Sequence, residues 1–247
     1  MSNYDNVEPK DKWKFDEEVA DCFENMLQRS IPQYEVMRNA VANLAYDVIV
    51  NADVVKASYN ILDIGCSDGL MIETLLKKFS DYSGDGHFLG VDVSEPMLLK
   101  AKHRLLEDVI SHKVKIEYCD LREDFPKTIY DVVTSILTLQ FTPIEHRQSI
   151  IQQIFDCLCG KNGCFIMVEK VLGNTDKLNK LFVKNYYDKK LESGYSQEQI
   201  ERKRLSLEGV LVPVTNDWNI DLLKQAGFRH VDVFWRWMNF VGYIAIK

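Results

Sequence analysis

"NILDIGCSDGL", residues 60–70, decides how this chain folds. A short apolar run, Ile61, Leu62 and Ile64, stops at Gly65-Cys66-Ser67-Asp68-Gly69, and helical spacing resumes at Leu70. A strand, a glycine turn and a helix in that order mark the place where a parallel sheet meets a ligand beyond its carboxyl ends. Dinucleotide binders need G-x-G-x-x-G there, so that a pyrophosphate can rest on the helix N-terminus. Here Ser67 replaces the middle glycine and the third is absent. No Walker A sequence occurs either, which removes the P-loop reading.

Outward from this turn, strands and helices alternate. Strands are predicted near 60–64, 87–91, 113–118, 129–135 and 163–168, with helices near 69–79, 95–109 and 145–158. Ser94 caps the second of these helices, with Glu95-Pro96 in its first turn. Such a rhythm gives a mostly parallel sheet covered on both faces. The last stretch, "FRHVDVFWRWMNFVGYIAIK", carries two β-rich runs, about 229–235 and 239–246, hinged near Met238-Asn239. A helix at 217–226 that stops at Gly227 precedes them. A seven-stranded, mostly parallel α/β sheet closed by an antiparallel hairpin is the Rossmann-like class I S-adenosylmethionine (SAM)-dependent methyltransferase architecture. One domain is expected over 1–247, with its core in 60–173 and 211–247. Residues 12–50 form an N-terminal helical cap broken at Ser30-Ile31-Pro32, and 174–210 a charged helical insertion.

Three acids end the first three strands: Asp63, Asp92 in "FLGVDVS" and Asp120 in "IEYCDLRE". A carboxylate at Asp92 can accept from both ribose hydroxyls. Asp120, with the Leu121 backbone beside it, is placed for the exocyclic amine of adenine. Asp63 lies where a cationic amino-acid moiety would sit. SAM has a nucleoside and two cations but no phosphate, which suits this set.

Composition narrows the partners. The net charge is −7, without a basic block, so direct nucleic-acid binding is not expected. No apolar run approaches the roughly 20 residues of a membrane span, and the first 20 residues lack an apolar leader core. The chain reads as cytoplasmic. Six scattered cysteines make no disulfide framework, and no metal is expected at Cys157, Cys159 and Cys164, whose spacing is not C-x-x-C.

The stretches "WKFDEEVADCFENMLQRSIPQY", "DIGCSDG", "LTLQF", "VEK", "GYSQEQIERKR" and "MNF" closely resemble the carboxy-S-adenosyl-L-methionine (carboxy-SAM) synthase family. The likeness runs from about Trp13 to the C-terminus, and a serine at position 67 is part of it. The resemblance implies ligand contacts at Tyr34, Gly65, Cys66, Ser67, Asp92, Val93, Asp120 and Leu121. It also implies that Arg204 engages the added carboxylate, with Tyr34 and Arg204 as the residues that serve the reaction. That reaction would take carbon dioxide from prephenate, releasing phenylpyruvate and hydroxide, and attach it to a SAM methyl carbon deprotonated to an ylide. The product, carboxy-SAM, serves modification of the tRNA wobble uridine, and the family forms homodimers. A guanidinium can grip such a carboxylate through two parallel hydrogen bonds.

One position departs from the family. Before "TLQF" the family carries an asparagine among its ligand contacts, and this chain has Ile136. A conventional SAM-dependent methyltransferase acting on a small molecule or tRNA therefore stays open as the alternative. No histidine is an evident base; Tyr34, Tyr186, Tyr187, Tyr195 and Glu169 are the more plausible pocket residues.

Overall fold

The computed structural model describes residues 11–51 and 56–247. The leaderless N-terminal reading thus falls, for residues 1–10, outside the described residues. Strands β1 (Ser58–Ile64), β2 (Asp85–Asp92), β3 (Val114–Tyr118), β4 (Val132–Ile136) and β5 (Cys164–Leu172) run parallel. A two-residue strand, β6 (Val214–Thr215), pairs with the end of β5, and β7 (His230–Trp237) and β8 (Phe240–Ile246) form the expected antiparallel hairpin. The order β3-β2-β1-β4-β5-β8-β7 makes the expected seven-stranded path, and β6 adds an eighth strand too short to leave a periodic signal. The chain reverses direction across the sheet between β1 and β4, so the cleft opens beside Gly65.

Nine α-helices cover the described sheet: α1 (Glu17–Ser30), α2 (Tyr34–Val50), α3 (Leu70–Lys78), α4 (Glu95–Arg104), α5 (Leu106–Ile110), α6 (Ile144–Cys157), α7 (Asp176–Glu192), α8 (Gln197–Leu207) and α9 (Asn216–Ala226). The single helix expected over 95–109 divides at Leu105, whose side chain is buried beside Gly69. Asp16, Ser94, Thr175 and Thr215 each accept a backbone N–H at a helix start, and Ser196 with Gln199 completes a capping box.

Two apolar layers sandwich the sheet. Ile61, Ile166, Val168 and Phe240 face the layer that holds α2 and α3, whereas Leu62, Ile64, Met167 and Val241 face α6 and α9. A third, smaller cluster gathers Trp13, Phe23 and Met26 from α1 and its lead-in around Met97 of α4. Alternation along each strand has a functional result. Asp63 continues the Ile61 side of β1, and Lys170 continues the Val168 side of β5, so both belong to the face on which the cleft lies.

Candidate active site

Beyond the ends of β1, β2, β4 and β5 lies a cavity of about 360 Å³. Its floor is the glycine turn. Gly65 has φ +69°, and a Cβ there would meet Thr138 Oγ1 at 2.2 Å, so no other residue fits. Ser67 takes a left-handed φ of +51° without being glycine. Its N–H donates to Asp92 Oδ2 at 3.0 Å, while Gly65 and Cys66 donate to Val91 O at 2.8 and 3.0 Å. The Ser67 hydroxyl is buried without a protein partner, a polar group aimed at something the protein does not supply. Cys66 is buried, and burial raises its thiol well above the ordinary range, so it packs rather than reacts.

Carboxylates ring this end of the cavity. Asp63 is 2% exposed and accepts from Thr134 Oγ1 at 2.6 Å. Burial, reinforced by the charge of Asp92, pushes its carboxyl up to about 7. Asp92 accepts from Ser67 N and, at 2.9 Å, from Ser94 N, so it shapes the turn and still keeps lone pairs for hydroxyls. Asp120 is clasped by Arg122 Nε at 2.8 and 3.1 Å, and this bond holds its carboxyl below the usual range. An adenine amine would compete there with Arg122, which also lines the cavity. Val93 and Leu121 complete the lining on that side.

The roof comes from both caps. Tyr34 opens α2, lies 8% exposed on the cavity wall and has the Arg38 guanidinium 5.1 Å from its ring centre. Burial raises its phenol far above the ordinary value. Trp13, Phe15 and Ile31 from the N-terminal cap face Tyr186, Lys190 and Lys203 from α7 and α8. The two segments are tied together: Arg29 Nε donates to Ser193 O at 2.9 Å, Ser30 Oγ donates to Tyr195 Oη at 3.1 Å, and Trp13 N donates to Ser206 O at 3.0 Å.

The structure gathers Tyr34, Asp63, Gly65, Cys66, Ser67, Asp92, Val93, Asp120 and Leu121 around one cavity. It does not bring Arg204 there. Arg204 sits on the outer face of α8, where its Nε and a terminal nitrogen donate to Glu201 at 2.9 and 2.7 Å, and those bonds keep the guanidinium firmly charged. Helical geometry explains the split, because the preceding Lys203, about 100° around the helix, turns inward instead. Ile136 does line the cavity.

Glu169, read as a pocket residue, faces the other way. It is one residue out of phase with Lys170 and accepts Leu139 N at 3.0 Å, with Gln140 and Thr138 N–H groups adding support. Arg147 braces the same turn by donating to Thr142 O at 2.9 Å and Val212 O at 2.8 Å. The pair thus fixes the "LTLQF" segment over the ligand floor. Sequence reading missed Lys170, although period-two alternation from Val168 singles it out.

A cavity with this turn, strand-end acids and topology defines a SAM-dependent transferase of the class I methyltransferase fold. The methyltransferase domain family matches residues 62–165. A carboxy-S-adenosyl-L-methionine synthase from Methylococcus capsulatus is 37% identical over 96% of this chain and 94% of its own. The synthase of that name from Nautilia profundicola is 35% identical over 96% and 95%. The chain belongs to the carboxy-S-adenosyl-L-methionine synthase family. Its fold also matches an O-methyltransferase family protein from Burkholderia thailandensis, with TM-score 0.64 at 15% identity, across 94% of this chain and 60% of that one.

Asp92→Ala is expected to weaken SAM binding by about 1.5–3 kcal/mol, the usual range for hydrogen bonds to a charged group. Asp92→Asn should lose less, because one oxygen can still hold the Ser67 N–H. Calorimetric titration checks this, and equal affinity for wild type and both variants would put the nucleoside elsewhere.

Proposed function

We propose that this chain makes carboxy-SAM from SAM and prephenate, in the cytoplasm, for modification of the tRNA wobble uridine. The observation that carries this reading is the double roof. Two caps tied by Arg29–Ser193, Ser30–Tyr195 and Trp13–Ser206 bonds cover the strand ends, which suits a small donor and a reaction that water would spoil. A tRNA acceptor would need open access to the methyl group. Near-full-length identity with synthases supports the same reading.

In this proposal Gly65, Cys66 and Ser67 cradle the ligand, and the unpartnered Ser67 hydroxyl gains a partner. Asp92 takes the ribose, Asp120 and Leu121 the adenine, and Val93 packs beside it. Asp63 faces the amino-acid cation, and Tyr34 closes the lid. SAM supplies the methyl carbon that takes up carbon dioxide; prephenate supplies that carbon dioxide and leaves as phenylpyruvate, its hydroxide taking the methyl proton as water. The residues orient both molecules and keep solvent out; no metal is part of the proposal. The single-domain assignment also belongs to it. Among the described residues no helix is long and apolar enough to cross a membrane.

Arg204 enters through the homodimer. Pointing away from its own cavity, it can meet an added carboxylate only if α8 rearranges or if a second copy presents it to a neighbouring cleft. The alternative reading, ordinary methyl transfer, is favoured by Ile136, a branched alkyl on the lining where an amide would offer hydrogen bonds. Two measurements separate them. Mass spectrometry of the ligand that copurifies should find a species heavier than SAM by one CO2. Paired titrations should show Arg204→Ala weakening carboxy-SAM strongly while SAM is unchanged or slightly improved, with lysine rescuing only part. Equal losses for both ligands would shift the assignment to ordinary methyl transfer.

A further inference from the structure

The cavity is electrically divided. Its acids, Asp63, Asp68, Asp92 and Asp120, all come from the β1–β3 side, where Arg122 is taken up by its bonds to Asp120, whereas β5, α7 and α8 contribute Lys170, Lys190 and Lys203. Across the sheet, β5 lies two strand spacings from β1, roughly 10 Å. The acidic end suits the cationic ligand already described. SAM's own anion, its α-carboxylate, shares a carbon with the ammonium that faces Asp63 and so stays at that end, and its methylsulfonium would be repelled by the basic end.

Lys170 is the innermost of these cations. It is largely buried at the carboxyl end of β5, on the cleft face, and its backbone is pinned by Lys170 N donating to Gln140 Oε1 at 2.8 Å. Its ammonium lies 4.7 Å from the Tyr186 ring centre and 6.0 Å from that of Phe240. Among the described residues, no carboxylate pairs with it. Aromatic faces alone compensate a buried ammonium only partly. A cation kept in such a place calls for an anion from outside.

We infer that Lys170 is the binding residue for a carboxylate of the carboxyl donor, held at the basic end of the cavity with its ring carbon skeleton against Tyr186 and Phe240. This rests on the carboxy-SAM reading for the identity of the donor, but the anion site itself rests on Lys170. Burial lowers the amine to about 8, so an arriving carboxylate also secures its proton. Ile136 lies on β4 between the two charged ends and lines the same cavity.

The test uses full-length wild type, Lys170→Met and Lys170→Arg. SAM affinity should stay within about twofold in all three, while the KM for prephenate, read by carboxy-SAM formation, rises roughly 10- to 100-fold in Lys170→Met and less in Lys170→Arg. A second arm needs no turnover: phenylpyruvate should raise the melting temperature of wild type loaded with S-adenosylhomocysteine, and not that of Lys170→Met. If wild type makes no carboxy-SAM from prephenate yet shows this Lys170-dependent stabilisation, the anion site stands and the donor assignment falls. Unchanged prephenate kinetics in Lys170→Met would overturn the inference. So would a parallel loss of SAM affinity, a fall in kcat at constant KM, or phenylpyruvate stabilising neither or both proteins.

Discussion

SAM should bind this protein about tenfold more weakly for each pH unit below 7, and Asp63→Asn should bind weakly with no such slope. Asp63 is buried at the end of β1 with Thr134 as its hydrogen-bond donor, and burial lifts its carboxyl to about 7. Below that pH the free protein holds it neutral. A ligand carrying an ammonium and a sulfonium favours the carboxylate, so binding must expel the proton, at about 1.4 kcal/mol per pH unit. The sign is opposite for the free protein. A carboxyl whose folded pKa is raised contributes stability at low pH and loses it as pH climbs from about 4 through 7. Ligand should therefore raise the melting temperature more at pH 7.5 than at pH 5.5. Calorimetry between pH 5.5 and 7, below the range where the ligand's own α-amine titrates (about 7.7–8.0), checks the slope. In buffers of different ionisation enthalpy it should also reveal one proton released per ligand at the acid end. A flat profile would place the ammonium away from Asp63.

Arg104→Ala should cost roughly 3 kcal/mol of folding stability, more than a hundredfold in the folding equilibrium. Arg104 ends α4 beneath the glycine turn. Its Nε donates to Asp68 O at 2.9 Å, one terminal nitrogen reaches Asp68 Oδ2 at 2.8 Å and Glu24 at 3.1 Å, and the other reaches Glu73 at 3.3 Å. Asp68 is 5% exposed, and burial already pushes its carboxyl up despite the guanidinium. Without Arg104 the carboxylate is buried and unpaired, and the turn loses its grip on α1 as well. Urea unfolding at pH 7 measures the loss. Arg104→Ala combined with Asp68→Ala should be less destabilised than the sum of the two, because the second change removes the stranded charge. Strict additivity would show that the two residues act independently.

The sheet and its hairpin were legible because strand alternation and glycine turns leave local marks: Gly65 and Gly227 follow the ends of β1 and α9, and Gly84 and Gly163 stand just before β2 and β5. The strand-end acids followed from the same reading. What escaped it was phase and orientation. Glu169 and Lys170 are neighbours in a motif, yet only one can face the cleft, and the deciding residue is Val168, on the α2 side of the sheet. Lys203 and Arg204 pose the same problem on a helix, where one residue turns the side chain by about 100°. Ser67 shows a third limit: its left-handed backbone is enforced by the Asp92 bond, a contact 25 residues away that no local propensity reports.

The place of β8 between β5 and β7 governs the order in which the molecule can assemble. β5 pairs through Cys164–Lys170 with Phe240–Ile246, so α7, α8 and α9 must all be made before that edge is covered. Until then β5 presents a long apolar rim, Phe165, Ile166, Met167 and Val168, with unsatisfied backbone groups and no charge before Glu169. Such an edge is a template for pairing with another chain. Distant partners also carry a large loop-closure cost, so this pairing forms late. The strand that separates this architecture from the dinucleotide binders thus closes one of its most sequence-distant seams, and β5 stays open to pairing with another chain until β8 docks.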